Sequence, residues 1–161
     1  MRTHDTLATP DGPFVVIEDD GAVVAAGWTD DPAALAARSR LAGGPGTPGT
    51  VRAADAVAAY YAGDASRVAR VPVAAPGTAF RERVWEALRA IPAGEVRTYG
   101  AVAQALGSPG ASRAVGAACG ANPVALFVPC HRVTGASGSL TGFAWGVDVK
   151  RSLLAREAGD S

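Results

Sequence analysis

The 161-residue chain predicts an α/β N-terminal domain, a small antiparallel sheet with helices over residues 1–75, followed by a mainly α C-terminal domain with a helix-turn-helix over residues 76–161. Three observations carry this expectation. Two short apolar runs near the N-terminus flank an Asp-Gly turn signal. A Pro/Gly stretch at 74–79 reads as a linker. Beyond it the apolar residues recur at helical spacing, and a short Gly turn separates two helices.

The first run, PFVVIE at 13–18, and the second, AVVAAGW at 22–28, form the strands of a hairpin around Asp19-Asp20-Gly21. Residues 32–40 read as a short helix with Pro32 near its start. A Gly/Pro loop covers 42–50. Val51, Ala54, Val57, Ala58 and Tyr61 then share one helical face over 51–62. Past the linker, Phe80, Val84, Leu88 and Ile91 mark a helix ended by Pro92 and Gly94. Thr98 is placed to cap a helix over 99–106, with Val102 and Leu106 inward. Gly107-Ser108-Pro109-Gly110 is a tight turn, and Ser112 is placed to cap the next helix, 112–120. VALFV at 124–128 is a short buried run. A Gly-rich loop at 135–146 precedes a last helix over 147–157.

Net charge is zero, which argues against a strongly basic nucleic-acid binder, yet the halves differ. Residues 1–75 carry six arginines against nine acids; residues 76–161 carry nine cations against six acids. A mildly basic second half suits phosphates, and ordinary scatter fits as well. The two cysteines, Cys119 and Cys130, form no CxxC, and the only histidines are His4 and His131. No zinc site and no secreted disulfide scaffold is expected. His4 reads as a solvated tail residue. No signal peptide, membrane span or cofactor motif is visible, so a cytoplasmic protein without cofactor is expected.

The chemistry concentrates at Pro129-Cys130-His131-Arg132, directly after the apolar run. A thiol attacks as its thiolate, and an imidazole oriented by a carboxylate can take the proton. His131 is the candidate base and Glu157, on the last helix, the candidate carboxylate. Adjacent residues point in different directions, so a bridging water is a natural relay. From the dipeptide alone, a packed core cysteine beside a loop histidine is the favoured reading.

The wider pattern is more specific. GTAFRERVWEALRAIPAGEVRTYG (77–100), ASRAVGAACGANP (111–123), VPCHRV (128–133) and LTGFAWGVDVKRSLLAREAG (140–159) together resemble the O6-alkylguanine-DNA alkyltransferase family. The four pieces lie in the family's order through about half the chain. The first half resembles it loosely, through TPDGPFVVIEDDGAVVAAGW at 9–28.

The resemblance implies direct, irreversible repair. The alkyl group of O6-alkylguanine, and of O4-alkylthymine, moves to Cys130 from a base flipped out of duplex DNA. It implies His131 as water-linked base and Glu157 as its orienting acid. Asn122 matches the hinge asparagine, and Tyr99 the hydroxyl that assists the leaving guanine. Arg113 matches the residue that takes the extruded base's place. Thr98, Tyr99, Ser112, Arg113 and Ala114 would face DNA. The small residues of 111–121 suit a helix lying in the minor groove, although a tightly packed core helix has the same composition. Cys130, Val133, Phe143, Ala144 and Trp145 would line the base pocket, with Gly142 to Gly146 as its rim. A monomer acting once, on duplex DNA, without a protein partner, is expected.

Two departures stand out. Phe143 replaces a tyrosine common in the family, and Trp145 stands where several members have glycine. Trp145 and Cys119 both resemble the adaptive-response members, but no N-terminal zinc-cysteine domain is expected here, and Cys119 reads as packing. Three rivals are weighed. A lesion-recognition protein of the same scaffold has tryptophan in place of the cysteine. A Cys-His hydrolase would need an oxyanion hole and a deacylating water, and no local signature of a known hydrolase is present. A helix-turn-helix regulator would place polar base-reading residues where this helix has Ala and Gly.

Overall fold

Phe14 to Ile17 are fully buried, as a continuous apolar run demands of a central strand. They lie in β2 (Gly12–Asp19), which pairs antiparallel with β1 (Arg2–Thr9) and β3 (Ala22–Gly27). The β2–β3 turn places Asp20 at φ 50° and Gly21 at φ 81°, both central residues left-handed as a tight two-residue hairpin turn requires. In this computed structural model, which describes residues 1–140 and 142–159, the chain clusters into two units. One is Met1–Ala75 with Pro123–Phe127; the other is Pro76–Asn122 with the chain from Val128 onward. The segment 123–127 thus returns to the first unit, whereas the sequence suggests a single boundary at 75.

The first unit corrects three expectations. Residues 2–9 form a full strand, paired along its whole length with β2. His4 is therefore no solvated tail: its Nδ1 lies 3.1 Å from the Pro45 carbonyl. The sheet, in the order β3-β2-β1-β4, is mixed rather than antiparallel, because β4 (Thr47–Pro48), inside the Gly/Pro loop, runs parallel to β1. The inward face of α2 (Ala54–Tyr61) is Ala56, Val57 and Tyr60; Ala58 is exposed and Tyr61 half-buried. Alanine on either face leaves two stripes nearly equivalent in sequence. The tyrosines decide: the Tyr61 hydroxyl donates to Asp11 at 2.7 Å and accepts from Trp28 at 3.2 Å, while Tyr60 fills the core. Helix α1 (Pro32–Arg38) begins at Pro32 as expected, capped by Asp31.

Glu18 at the end of β2 caps α2 from a distance. Its two carboxylate oxygens accept the N–H groups of Arg52 and Ala53 at 2.8 and 2.7 Å, where the N-cap Ala53 has no side chain for the purpose. Glu18→Ala is expected to cost about 1–3 kcal/mol, the penalty of stranding buried donors, and Glu18→Gln less. Urea unfolding of the three proteins tests this, and equal midpoints would refute it.

In the second unit, Thr78 caps α3 (Ala79–Arg89) by accepting from Arg81 N–H. Val84, Trp85, Leu88 and Ile91 are buried. The Trp85 indole N–H donates to the Ala118 carbonyl at 2.9 Å and ties α3 to α5. β5 (Arg97–Thr98) pairs parallel with β6 (Val133–Thr134). Thr98 caps α4 (Tyr99–Ala105), accepting from Ala101 N–H at 3.0 Å. A short turn with Gly107 at φ 75° leads to α5 (Ser112–Gly120), which packs on α4. Ser112 is the first helical residue and not its cap; Ala111 holds that position without a side-chain bond. Helix α6 (Val147–Glu157) closes the unit. No helix among the described residues is long and apolar enough to cross a membrane.

Candidate active site

VALFV is wholly buried but is not a regular strand: Leu126 takes φ 73°. The chain then enters the second unit, and Pro129 leads into a single 3-10 turn, Cys130–Arg132. Three successive side chains of that turn are buried in different surroundings.

Cys130 is 8% exposed and sits on the wall of an open pocket of about 530 Å³. Asn122, just after α5, donates one amide group to both the Val128 carbonyl at 2.8 Å and Cys130 Sγ at 3.3 Å. It therefore fixes the approach to the turn and places a donor against the sulfur, where it favours the anionic form.

His131 is fully buried, its Nε2 2.7 Å from Glu157 Oε2. Glu157 also receives Arg132, Nε to Oε1 at 2.8 Å and the second nitrogen to Oε2 at 3.0 Å. Arg132 reaches the Ile91 carbonyl as well, at 2.7 Å. Burial opposes charge on Glu157, but the hydrogen bonds and charges of His131 and Arg132 outweigh it and hold its carboxyl down at about 2. Glu157 is thus a firm carboxylate that accepts from Nε2–H. That assigns the other ring nitrogen, Nδ1, the lone pair. Nδ1 is buried and has no hydrogen-bond partner among the described residues. Burial lowers the imidazole below its usual 6.5, more than Glu157 raises it. The arrangement is a neutral base whose acceptor nitrogen is buried and unpartnered among the described residues.

The pocket draws Tyr99 from α4, Gly116, Cys119 and Gly120 from α5, and Phe143 and Trp145 from the loop before α6. Gly142, Ala144 and Asn122 complete its lining. The loop turns through a Gly146 N–H to Phe143 carbonyl bond at 3.0 Å, with Gly146 at φ 101°. Val133 is fully buried, and its carbonyl accepts from Lys150 Nζ at 2.7 Å. Thr98 and Ser112 are half-buried at helix starts, and Arg113 and Ala114 are exposed on α5.

Sequence reasoning missed several contributors. Gly116 and Gly120 read as small residues for close approach, yet they line the pocket, where a side chain on Gly116 would meet the Tyr99 ring at 3.9 Å. Cys119 lines it too, its thiol pushed up to about 12 by burial and the neighbouring Cys130. Lys150, the chain's one lysine, is buried, and its placement three residues before buried Leu153 was the available signal.

The profile of a family described as 6-O-methylguanine DNA methyltransferase, DNA binding domain, matches residues 79–159. A methylated-DNA–protein-cysteine methyltransferase of Mycolicibacterium paratuberculosis is 45% identical over 131 residues, 81% of this chain and 70% of that protein. The chain belongs to the methylated-DNA–protein-cysteine methyltransferase family. A methyltransferase of the same name from Salmonella typhimurium is 53% identical over 103 residues, which span 64% of this chain and 60% of the relative. The crystal structure of Mycobacterium tuberculosis O6-methylguanine methyltransferase superposes with a TM-score of 0.81 at 38% identity, covering 100% of this chain and 95% of that one. The mycobacterial protein is also known in complex with DNA, with the same TM-score. An archaeal O6-methylguanine-DNA methyltransferase from Pyrococcus kodakaraensis gives 0.74 at 25% identity. Within this methyltransferase family, the Cys130 turn and its buried partners form the candidate reaction centre.

Proposed function

We propose that this chain repairs duplex DNA by transferring the alkyl group of O6-alkylguanine, and of O4-alkylthymine, to Cys130 in a single irreversible turnover. The observation that carries the reading is one turn that holds Cys130 on the pocket wall and, next to it, a buried His131 whose Nε2 is held by Glu157 and whose Nδ1 has no partner among the described residues. A water bridging Sγ and Nδ1 carries the thiol proton to the imidazole. The sulfur pair attacks the alkyl carbon, the carbon–O6 bond breaks, and its electrons leave with guanine. The guanine recovers neutrality by taking up a proton, with the Tyr99 hydroxyl as the donor in the pocket. The thioether formed is a poor leaving group, so the protein is consumed.

Helices α4 and α5 serve as a helix-turn-helix. The bulk-poor face of α5 lies in the minor groove, and the base is flipped into the pocket. Exposed Arg113 then fills the gap in the stack, a role suited to its planar cation. Ala114, Ser112 and Thr98 lie along the same DNA-facing surface. The working unit is a monomer on duplex DNA.

The test is intact mass after mixing with a duplex carrying one O6-methylguanine. One added methyl, mapped to the Cys130 peptide, is expected. Tight binding without mass gain would favour lesion recognition instead. Trp145 lines the pocket, and its large ring takes up room that a larger adduct would need. Methyl is therefore expected to transfer faster than benzyl, with Trp145→Gly closing the gap. Equal wild-type rates for the two adducts would refute this.

A further inference from the structure

A second cavity of about 320 Å³, which shares no lining residue with the alkyl pocket, lies wholly within the first unit, and three arginines line it: Arg52, Arg67 and Arg70. This unit has only six arginines and carries more acids than bases. Half its cations converge on one hollow.

The placement follows from local structure. Val68–Arg70 is a 3-10 turn with Arg67 as its N-cap, closed by the Arg70 N–H to Arg67 carbonyl bond at 3.1 Å. Residues three apart eclipse on such a turn, so Arg67 and Arg70 share a side. Buried Val68 pins the turn. The chain after it is held to β3 by Val23 N–H to the Pro72 carbonyl and by Ala74 N–H to the Val23 carbonyl, both 2.9 Å. Arg52 enters from the start of α2. Its guanidinium lies over Gly21, where an added Cβ would come within 3.6 Å.

Glu18 also lines the hollow, but among the described residues neither it nor Asp64 forms an ion pair with the three arginines. Both oxygens of Glu18 are taken by backbone N–H groups. Asp64 accepts from Ser66 and acts on Arg67 and Arg70 only through its charge. Among the described residues, none of the three arginines forms an ion pair. A carboxylate ligand would satisfy one guanidinium fork. Three arginines on the lining of one hollow offer several forks, which suit the several oxygens of a phosphate group.

We infer that Arg52, Arg67 and Arg70 form a phosphate-binding site on the N-terminal unit, separate from the alkyl pocket. Two sources present that chemistry: the backbone of a nucleic acid and a free diphosphate-bearing small molecule.

The test uses the full chain and an Arg67→Ala/Arg70→Ala variant. Both positions are exposed, so the melting temperature should be nearly unchanged. Calorimetric titration with inorganic pyrophosphate should show binding to wild type and at least about tenfold weaker binding to the variant, the loss expected of two charge-assisted contacts. In parallel, affinity for an unmodified duplex is measured against salt concentration. A slope of log K against log salt that is shallower by about one unit in the variant identifies a backbone phosphate as the occupant. Pyrophosphate binding lost with the slope unchanged identifies a free phosphate compound. A variant matching wild type in both assays overturns the inference.

Discussion

Methyl transfer by His131→Gln is expected to run about 10²–10⁴ times slower than by wild type, the usual worth of a positioned general base. Glutamine keeps much of the volume and can still donate to Glu157, but its amide takes no proton. The loss should therefore appear in the rate of methyl uptake and leave duplex affinity in place. Burial keeps the imidazole below its ordinary 6.5, so the base stays neutral as pH falls through that value. The wild-type rate advantage over the variant should hold at pH 6.5 and shrink only in more acidic solution, where Nδ1 is finally protonated. Single-turnover rates from quenched samples, read by mass, check both statements. A variant with wild-type rate would remove His131 from the mechanism.

The second large effect is on stability. Glu157→Ala removes a side chain that is 2% exposed and that holds two buried partners, His131 and Arg132. Arg132, 7% exposed, would keep, among the described residues, the Ile91 carbonyl alone. Breaking a buried pair from one side costs about 3–5 kcal/mol, because a charge is left without its counter-ion. For a chain of this size that corresponds to a fall in Tm of roughly 6–20 °C. The acid response follows from the same groups. Glu157 titrates near 4.5 when unfolded and at about 2 when folded, so its stabilisation is complete above 4.5 and is lost as pH falls toward 2. His131 is held neutral by burial, so below its unfolded value of 6.5 the unfolded state binds a proton the folded state refuses, and stability falls there as well. Two successive acid windows are expected in wild type. Glu157→Ala should lack the lower one and His131→Gln the upper. Thermal melts between pH 3 and 8 would show it, and an unchanged melting temperature for Glu157→Ala at pH 7 would refute the first claim.

Much of the fold was legible because its signals are local. The β2–β3 turn needs two left-handed residues, and Asp20-Gly21 announces them. Helices α1, α3, α4, α5 and α6 carry caps, breakers or apolar spacing within their own residues. β1 escaped notice because RTHDTLAT has one large apolar residue, and its stability comes from eight-residue pairing with β2, not from its own pattern. β4 is two residues long and has no period to read. The buried face of α2 was ambiguous because alanines occupy both candidate stripes.

At the candidate site, residue types and their order are a matter of primary structure: a thiol and an imidazole adjacent after an apolar run, and a carboxylate on the last helix. It also carried the family likeness, which rests on four motifs in series. How these groups are oriented and partnered depends on folding. Neighbours on a chain point apart, and the 3-10 turn at Cys130–Arg132 sends the thiol to the pocket wall and the imidazole into the interior. Folding brings Glu157, 26 residues away, onto His131, and lets Arg132 hold that carboxylate in its ionised form. The base's neutrality and the choice of Nδ1 as its acceptor both arise from burial and from that one contact. Neither property exists until residues distant in sequence share the same dry interior.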